Sequence, residues 1–265
     1  MNMPGDAPGP MDRLKEFMDG PVAREGLELG RFAGGVAAVY LTLVTFFFAA
    51  FHIPSESMQP SLEVGDRVLV SKWAYGYSRH SLPLNIGYAL PESWDGRIGW
   101  ASPRRGDVVV VRDERQRINL IKRVTAIAGD VVEVRNGQLW LNGEAVPREL
   151  VDERIYREYR SGAQVSVAHY SETLPGDNPH PIYEHSDVGG LDNYGPTTVL
   201  PGTVFVMGDN RDRSNDSRAP GGPGLVPLAN VVGRAETVLF TLQKCPRADR
   251  EAGMHCPTGR VWSGL

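Results

Sequence analysis

Cysteine and histidine are scarce in this chain. Two cysteines, Cys245 and Cys256, lie near the C-terminus, and there are six histidines in 265 residues. Together with His255 the cysteines fall short of a full metal-ligand set, so no metal is expected. In an oxidising compartment they are expected to form a short-loop disulfide, contributing up to about 3 kcal/mol in the chain-entropy picture. Two free thiols are the alternative. Basic charge is not in excess either. A net charge of −4 and a pI near 5.9 leave no basic face in the totals, so no nucleic-acid partner is expected. Long apolar runs are absent except for one. A mean hydropathy of −0.27 excludes a polytopic membrane protein and permits a single span. No internal repeat is present.

Glycine (30) and proline (20) are abundant. They predict many turns, which suits a mainly β fold better than a helical bundle. Hydrophobic residues at 41% and charged residues at 23% exclude disorder along the whole chain. The length suffices for one large domain or two small ones.

The one apolar run, residues 32–51, is 20 residues long and carries no charged side chain. As a helix it would cover ~30 Å, about one hydrocarbon core. A buried soluble helix rarely runs so long without a charge. A cleaved signal peptide has a shorter apolar region behind a short basic start, whereas 31 residues precede this one. An uncleaved signal-anchor is therefore expected. Arg13, Lys15, Arg24 and Arg31 precede the run, and only Arg67 appears in the 20 residues after it. The positive-inside bias then puts the N-terminus inside and the body outside.

Around this anchor the chain divides into a mobile tail over 1–12 leading into a polar helix that completes the segment 1–31, then the anchor 32–51. A β core over 52–144 follows, then a variable β-rich lobe inserted over 145–200, a second part of the core over 201–243, and a C-terminal tail over 244–265. Strands are expected at Val68–Val70, Val108–Val111, Ile118–Ile127, Val131–Arg135, Gln138–Leu141, Thr203–Met207 and Asn230–Leu242. Asn136-Gly137 marks a hairpin turn. Residues 73–100, with Trp73, Tyr75, Tyr77, Trp94 and Trp100, read as an exposed ribbon or loop.

Three segments carry chemistry-bearing residues. In Ile53-Pro54-Ser55-Glu56-Ser57-Met58-Gln59-Pro60-Ser61-Leu62, two prolines bracket two serines directly beyond the apolar run. Proline restricts its own backbone and that of the preceding residue, so a hydroxyl can be presented at a fixed place. An ordinary Ser/Pro linker is the bland alternative. In Ile118–Val124, strand alternation groups Leu120, Lys122 and Val124 on one face. A lysine between apolar neighbours loses hydration and its pKa falls, which makes it a general base. Alternatively its stem is buried and its amine reaches water. Residues Gly208–Arg218, GDNRDRSNDSR, form a dense hydrogen-bonding loop after a buried strand. Alone, that loop reads as a solvated turn.

In combination the order is specific. A Pro-Ser-x-Ser-Met-x-Pro segment follows a membrane anchor, then come Arg105-Gly106-Asp107, Lys122-Arg123 and the 208–218 loop. This arrangement resembles the type I signal peptidases, over the anchor and residues 51–70, 104–135 and 203–235. The resemblance implies an antiparallel β-sheet catalytic domain behind a single transmembrane helix. It implies Ser57 as nucleophile and Lys122 as general base. Ser55 is then the side-chain donor of an oxyanion hole completed by the Ser57 N–H, and Ser214 orients the lysine amine. Asp216 and Arg218 form a supporting ion pair. Phe51, Ile53, Met58, Leu62, Val110, Leu120 and Ile121 match positions lining shallow pockets for small side chains at −1 and −3 of a preprotein. Glu56 departs from the small residue usual at its position. No cofactor is implied. The implied partners are exported preproteins, the lipid bilayer and the secretion translocon, with the protein in the bacterial cytoplasmic membrane and its catalytic domain on the outer side. A self-cleaving repressor of related fold would be cytosolic and carry a DNA-binding domain, against the span and the acidic balance. A Ser/Lys peptidase dedicated to a pilin or conjugation system and a non-catalytic anchored binding module are the remaining alternatives.

Overall fold

The structure is a computed structural model and describes residues 9, 11, 21–82, 87, 89, 97–99, 101–176, 178–242, 245–256 and 260–265. The tail expected over 1–12 lies almost wholly outside the described residues, as do Arg13, Lys15, Trp94 and Trp100. The chain forms two compact units, residues 1–45 and 46–265.

The first unit is dominated by helix α1, Pro21–Thr42. Residues 24–44 are exposed throughout, although an 18-residue stretch within Arg24–Phe47 reaches a mean hydropathy of 1.5. An apolar helix with no buried face meets a membrane's length requirement. The apolar run is not helical to its end, however. The helix widens into a π turn over Leu43–Phe47, and the residues beyond form a strand. Those last residues pair with a neighbouring strand, and that pairing overrides the continuity of the apolar pattern.

The second unit is built on antiparallel sheets. Its first strands are β1 (Phe48–His52), β2 (Asp66–Ser71), β3 (Tyr77–Ser78), β4 (Arg97–Ile98), β5 (Val108–Asp113) and β6 (Ile118–Ile127). A second group comprises β7 (Val131–Arg135), β8 (Gln138–Leu141), β9 (Glu144–Ala145), β10 (Arg148–Arg157), β11 (Gln164–Leu174), β12 (Asn178–Glu184) and β13 (Tyr194–Thr198). The chain closes with β14 (Thr203–Met207), β15 (Val226–Pro227), β16 (Val231–Thr241), a short helix α2 (Arg247–Glu251) and β17 (Val261–Gly264). Among the described residues the main sheet has eight strands in the order β1-β2-β16-β5-β6-β14-β15, with β17 also on β16. Val108 to Val111 are buried on both faces, which explains the unbroken valine run. Val108 and Val110 join Ile53, Met58, Leu62, Val68 and Val70 in one cluster. Val109 and Val111 join Val124, Val204 and Val206 in another.

Between β6 and β14 the chain leaves this sheet. β13-β7-β8-β9 and β10-β11-β12 form two smaller sheets. The excursion thus begins at β7, earlier than position 145. The Asn136-Gly137 turn, with φ of 47° and 74°, folds β7 onto β8 rather than back to β6, which draws both strands out of the core sheet. Val132, Val134, Leu139 and Leu141 cover Ala126, Phe205 and Met207 of the main sheet. The expected exposed ribbon also differs in part. Tyr75 is buried, and its hydroxyl donates to Asp107 Oδ2 at 2.7 Å. At the C-terminus Cys245 and Cys256 form a disulfide with Cα atoms 5.5 Å apart.

Candidate active site

Ser57 sits in the tight turn that follows β1. Ile53 N–H donates to Asp66 O and Gly65 N–H to Ile53 O, tying the segment's start to β2. Its far side is fixed by apolar burial, since Met58 and Leu62 are fully enclosed. Lys122 projects from β6, directly opposite Val109. The two side chains meet. Lys122 Nζ lies 2.7 Å from Ser57 Oγ and donates to Ile121 O at 2.8 Å. Lys122 is 2% exposed and Ser57 7%. Burial pulls the lysine down to about 8, with the more distant carboxylates of Asp216 and Asp209 opposing the shift. At pH 7.4 about one-fifth of such amines are neutral, against roughly one in a thousand at the ordinary value.

Ser55 Oγ stands 3.4 Å from Ser57 Oγ. Among the described residues the Ser57 N–H makes no hydrogen bond, whereas the Ser57 carbonyl accepts from Asn210 N–H at 3.2 Å. That bond brings the 208–218 loop against the serine. The loop approaches so closely that a Cβ on Gly208 would lie 2.4 Å from Ser57 O and 2.3 Å from Ser214 Oγ. Ser214 is buried beside the pair, but its hydroxyl is not among the hydrogen-bond partners of Lys122. Asp216 and Arg218 pair through Oδ2 and Nη2 at 2.9 Å, and Asp216 Oδ2 also accepts from Gly208 N–H at 2.9 Å. The ion pair therefore fixes the backbone of the close approach. Burial alone would raise the Asp216 carboxyl, but Arg218 outweighs it and holds it below the usual range.

The serine and lysine open into a cleft of about 780 Å³ lined by Phe51, Ile53, Val110, Leu120 and Ile121. Met58 and Leu62 are placed differently from the expectation. Both are fully buried behind the cleft, in the cluster around Ile53, because the turn at Ser57 directs the following residues inward.

Other site residues were missed by sequence reasoning. Arg123 donates through Nε and Nη2 to both oxygens of Asp209, at 2.8 and 2.7 Å, and also reaches Gly106 O and Ser61 Oγ. It joins β6, the serine segment and the 208–218 loop. A charged residue next to Lys122 inside an apolar strand was the available signal, since a buried guanidinium requires a carboxylate. Glu158, Tyr159 and Arg160 also line the cleft, from the tip of the β10–β11 hairpin. Glu56 explains their presence. Its carboxylate accepts from Tyr159 N–H and lies 3.8 Å from Arg213 Nη1, which pairs in turn with Glu158.

The site thus brings a serine hydroxyl against a buried amine at an apolar cleft, an arrangement chemically able to supply a nucleophile and its base. The chain belongs to the signal peptidase family, peptidase S26, whose family model matches residues 27–240. It is 38% identical over 221 residues to signal peptidase I of Pseudomonas aeruginosa, covering 80% of this chain and 72% of the relative. Identity to signal peptidase I of Rickettsia rickettsii is 30% over 221 residues, covering 81% and 79%. A solved signal peptidase I from Enterococcus faecalis aligns with a TM-score of 0.30 at 24% identity, over 51% of this chain and 97% of that one.

Proposed function

We propose that this protein removes N-terminal signal peptides from exported preproteins by a Ser57/Lys122 dyad. The observation that carries this reading is the 2.7 Å approach of Lys122 Nζ to Ser57 Oγ at 2% lysine exposure. The neutral amine takes the Ser57 proton as Oγ attacks the scissile carbonyl. The Ser57 N–H and the Ser55 hydroxyl hold the developing oxyanion. The amine leaves with a proton from Lys122, and an acyl-enzyme remains on Ser57. Water activated by the same lysine then hydrolyses the acyl-enzyme.

The substrate lies extended across the cleft. In an extended peptide residues two apart face the same way, so the −1 and −3 side chains point together at the apolar wall. Ile53 and Val110, each 1% exposed, leave only shallow depressions there, which favours small residues. Ser214 acts through the packing of the Gly208 approach. The helix over Arg24–Phe47 anchors the protein in the cytoplasmic membrane. Basic residues before it keep the N-terminus inside, and the catalytic unit works on the outer side, on preproteins delivered through the translocon. Incubation of the full-length protein in lipid with a preprotein bearing an Ala-x-Ala site tests this reading. Wild type is expected to release the mature chain and Ser57→Ala to leave it intact. Equal cleavage by the two would remove Ser57 from the mechanism.

A further inference from the structure

Away from the cleft, three carboxyl groups converge where the end of β12 meets the 208–218 loop. Glu184 closes β12, Asp192 lies in the turn before β13, and Asp212 belongs to the short helical turn Arg211–Arg213. One oxygen from each lies within 4.8 Å of the others. Glu184 is 4% exposed and Asp192 0%. Neither oxygen of Glu184 has a hydrogen-bond partner, nor does Asp192 Oδ1. Buried carboxylate oxygens without donors are costly, and mutual repulsion adds to that cost.

The surrounding cations do not resolve the deficit. Arg148 Nη1 stands 3.7 Å from Glu184 Oε2, beyond hydrogen-bond distance, and is occupied with Gly137 O at 3.2 Å. Its Nη2 is 3.4 Å from Asp187. Arg211 is bound to Glu172, and Arg218 to Asp216 and Leu191 O. The backbone meanwhile holds the aspartates in place. Asp192 Oδ2 accepts from Gly189 N–H, and Asp212 Oδ2 accepts from His185 N–H at 2.6 Å and Ser186 N–H at 3.2 Å. A Cβ on Gly189 would lie 3.0 Å from Asp212 Oδ1 and 3.1 Å from Asp192 Oδ2, so glycine permits the convergence.

We propose that Glu184, Asp192 and Asp212 bind one hard divalent cation of the Ca²⁺ class. A donor set made only of oxygen selects such ions. Three protein carboxylates on one ion suit Ca²⁺, whereas Mg²⁺ usually keeps several waters and takes only one or two carboxylates. The ion joins the end of β12 to the loop two residues before Ser214. It acts as a brace and does not depend on the chemistry assigned to Ser57 and Lys122.

Calorimetric titration of Ca²⁺ into the chelator-treated, full-length protein in detergent tests the site. One ion per chain is expected to bind, with a Kd between about 10⁻⁵ and 10⁻³ M. The melting temperature should rise with Ca²⁺ concentration. Glu184→Gln and Asp192→Asn should each weaken binding at least about tenfold, while Asp187→Asn, on the exposed neighbour, should leave it within about twofold. If Glu184→Gln does not fold, Asp212→Asn on the less buried member carries the same comparison. No saturable binding up to about 10 mM, or binding unchanged in these carboxylate variants, would overturn the site. Equal affinity for Mg²⁺ would overturn its assignment to the Ca²⁺ class.

Discussion

Lys122 and Arg211 are both buried cations, 2% and 1% exposed, yet their surroundings differ in kind. Lys122, on β6, faces a hydroxyl and a backbone carbonyl. Arg211, in the 208–218 loop, faces the carboxylate of Glu172, to which it donates through both terminal nitrogens. Burial lowers Lys122 to about 8. Burial also acts to lower Arg211, but Glu172 overcomes it and its pKa rises. Desolvation is common to both, and the partner decides the outcome. A cation left without a carboxylate can release its proton, whereas a paired cation holds structure. The protein keeps these two arrangements apart, one at the cleft and the other behind it.

The largest expected effect comes from making the cleft lysine permanently charged. Lys122→Arg keeps the positive charge and the donors, but a guanidinium does not deprotonate in proteins. Preprotein cleavage should fall by about 10⁴-fold or more, as for loss of a member of a serine-protease triad. Substantial cleavage by this variant, with an unchanged melting transition, would make Lys122 a structural cation like Arg211.

Breaking the paired cation should instead cost stability. Glu172→Gln leaves the Arg211 charge buried without its counter-ion, and a loss of about 3–5 kcal/mol is expected. Lys122→Met should move the other way. The lysine's folded value near 8 lies below its unfolded value near 10.4, so the unfolded chain binds more protons between these pH values and stability rises with pH. Below pH 8 the folded state carries the full penalty of about 3 kcal/mol. Lys122→Met removes it, so the variant should be inactive yet more stable at pH 7, with the gain fading towards pH 10. Denaturant unfolding at both pH values measures this. Equal destabilisation by Glu172→Gln and Lys122→Met would erase the distinction between the two cations. Wild-type activity should likewise fall about tenfold per pH unit below pH 8.

Ser55→Ala probes the chemistry without touching either cation. The hydroxyl is 3.4 Å from Ser57 Oγ, and loss of one oxyanion donor typically slows the chemical step about 10²–10³-fold, some 3–4 kcal/mol. KM should barely move. A wild-type rate would remove Ser55 from the oxyanion hole.

What the sequence made legible follows the range of each interaction. The Asn136-Gly137 turn and the valine strand at 108–111 are local patterns, and both appear where expected. The Asp216–Arg218 pair is local as well, two residues apart. Pairing partners are not local. The Asn136-Gly137 turn announces that β7 and β8 pair with each other, but nothing within Val131–Leu141 says that β7 also pairs with β13 rather than with β6. Nor does Phe48–His52 announce that it will leave the helix for the edge of a sheet. The contact of Glu56 with Tyr159 spans 103 positions, and no pattern around either residue foretells it. Lys122 lay between these cases. Its apolar neighbours marked it as buried, but only the folded chain brings Ser57 to it across 65 positions.

The smallest expected effect falls on the one histidine at the cleft. His52 ends β1 opposite Arg67 and lines the cleft mouth while remaining exposed. It makes no hydrogen bond to Ser57, whose hydroxyl is engaged by Lys122 and adjoined by Ser55. A general base must reach the proton it removes, and the residue within reach is the lysine. His52→Gln preserves the polarity and approximate size of the side chain, so preprotein cleavage should stay within about twofold of wild type and the pH profile should keep its acid limb near 8. A loss approaching that of Ser57→Ala would instead assign the proton transfer to His52. The buried amine of Lys122 would then be a structural feature of the kind seen at Arg211, and the contrast between the two cations would lose its functional meaning.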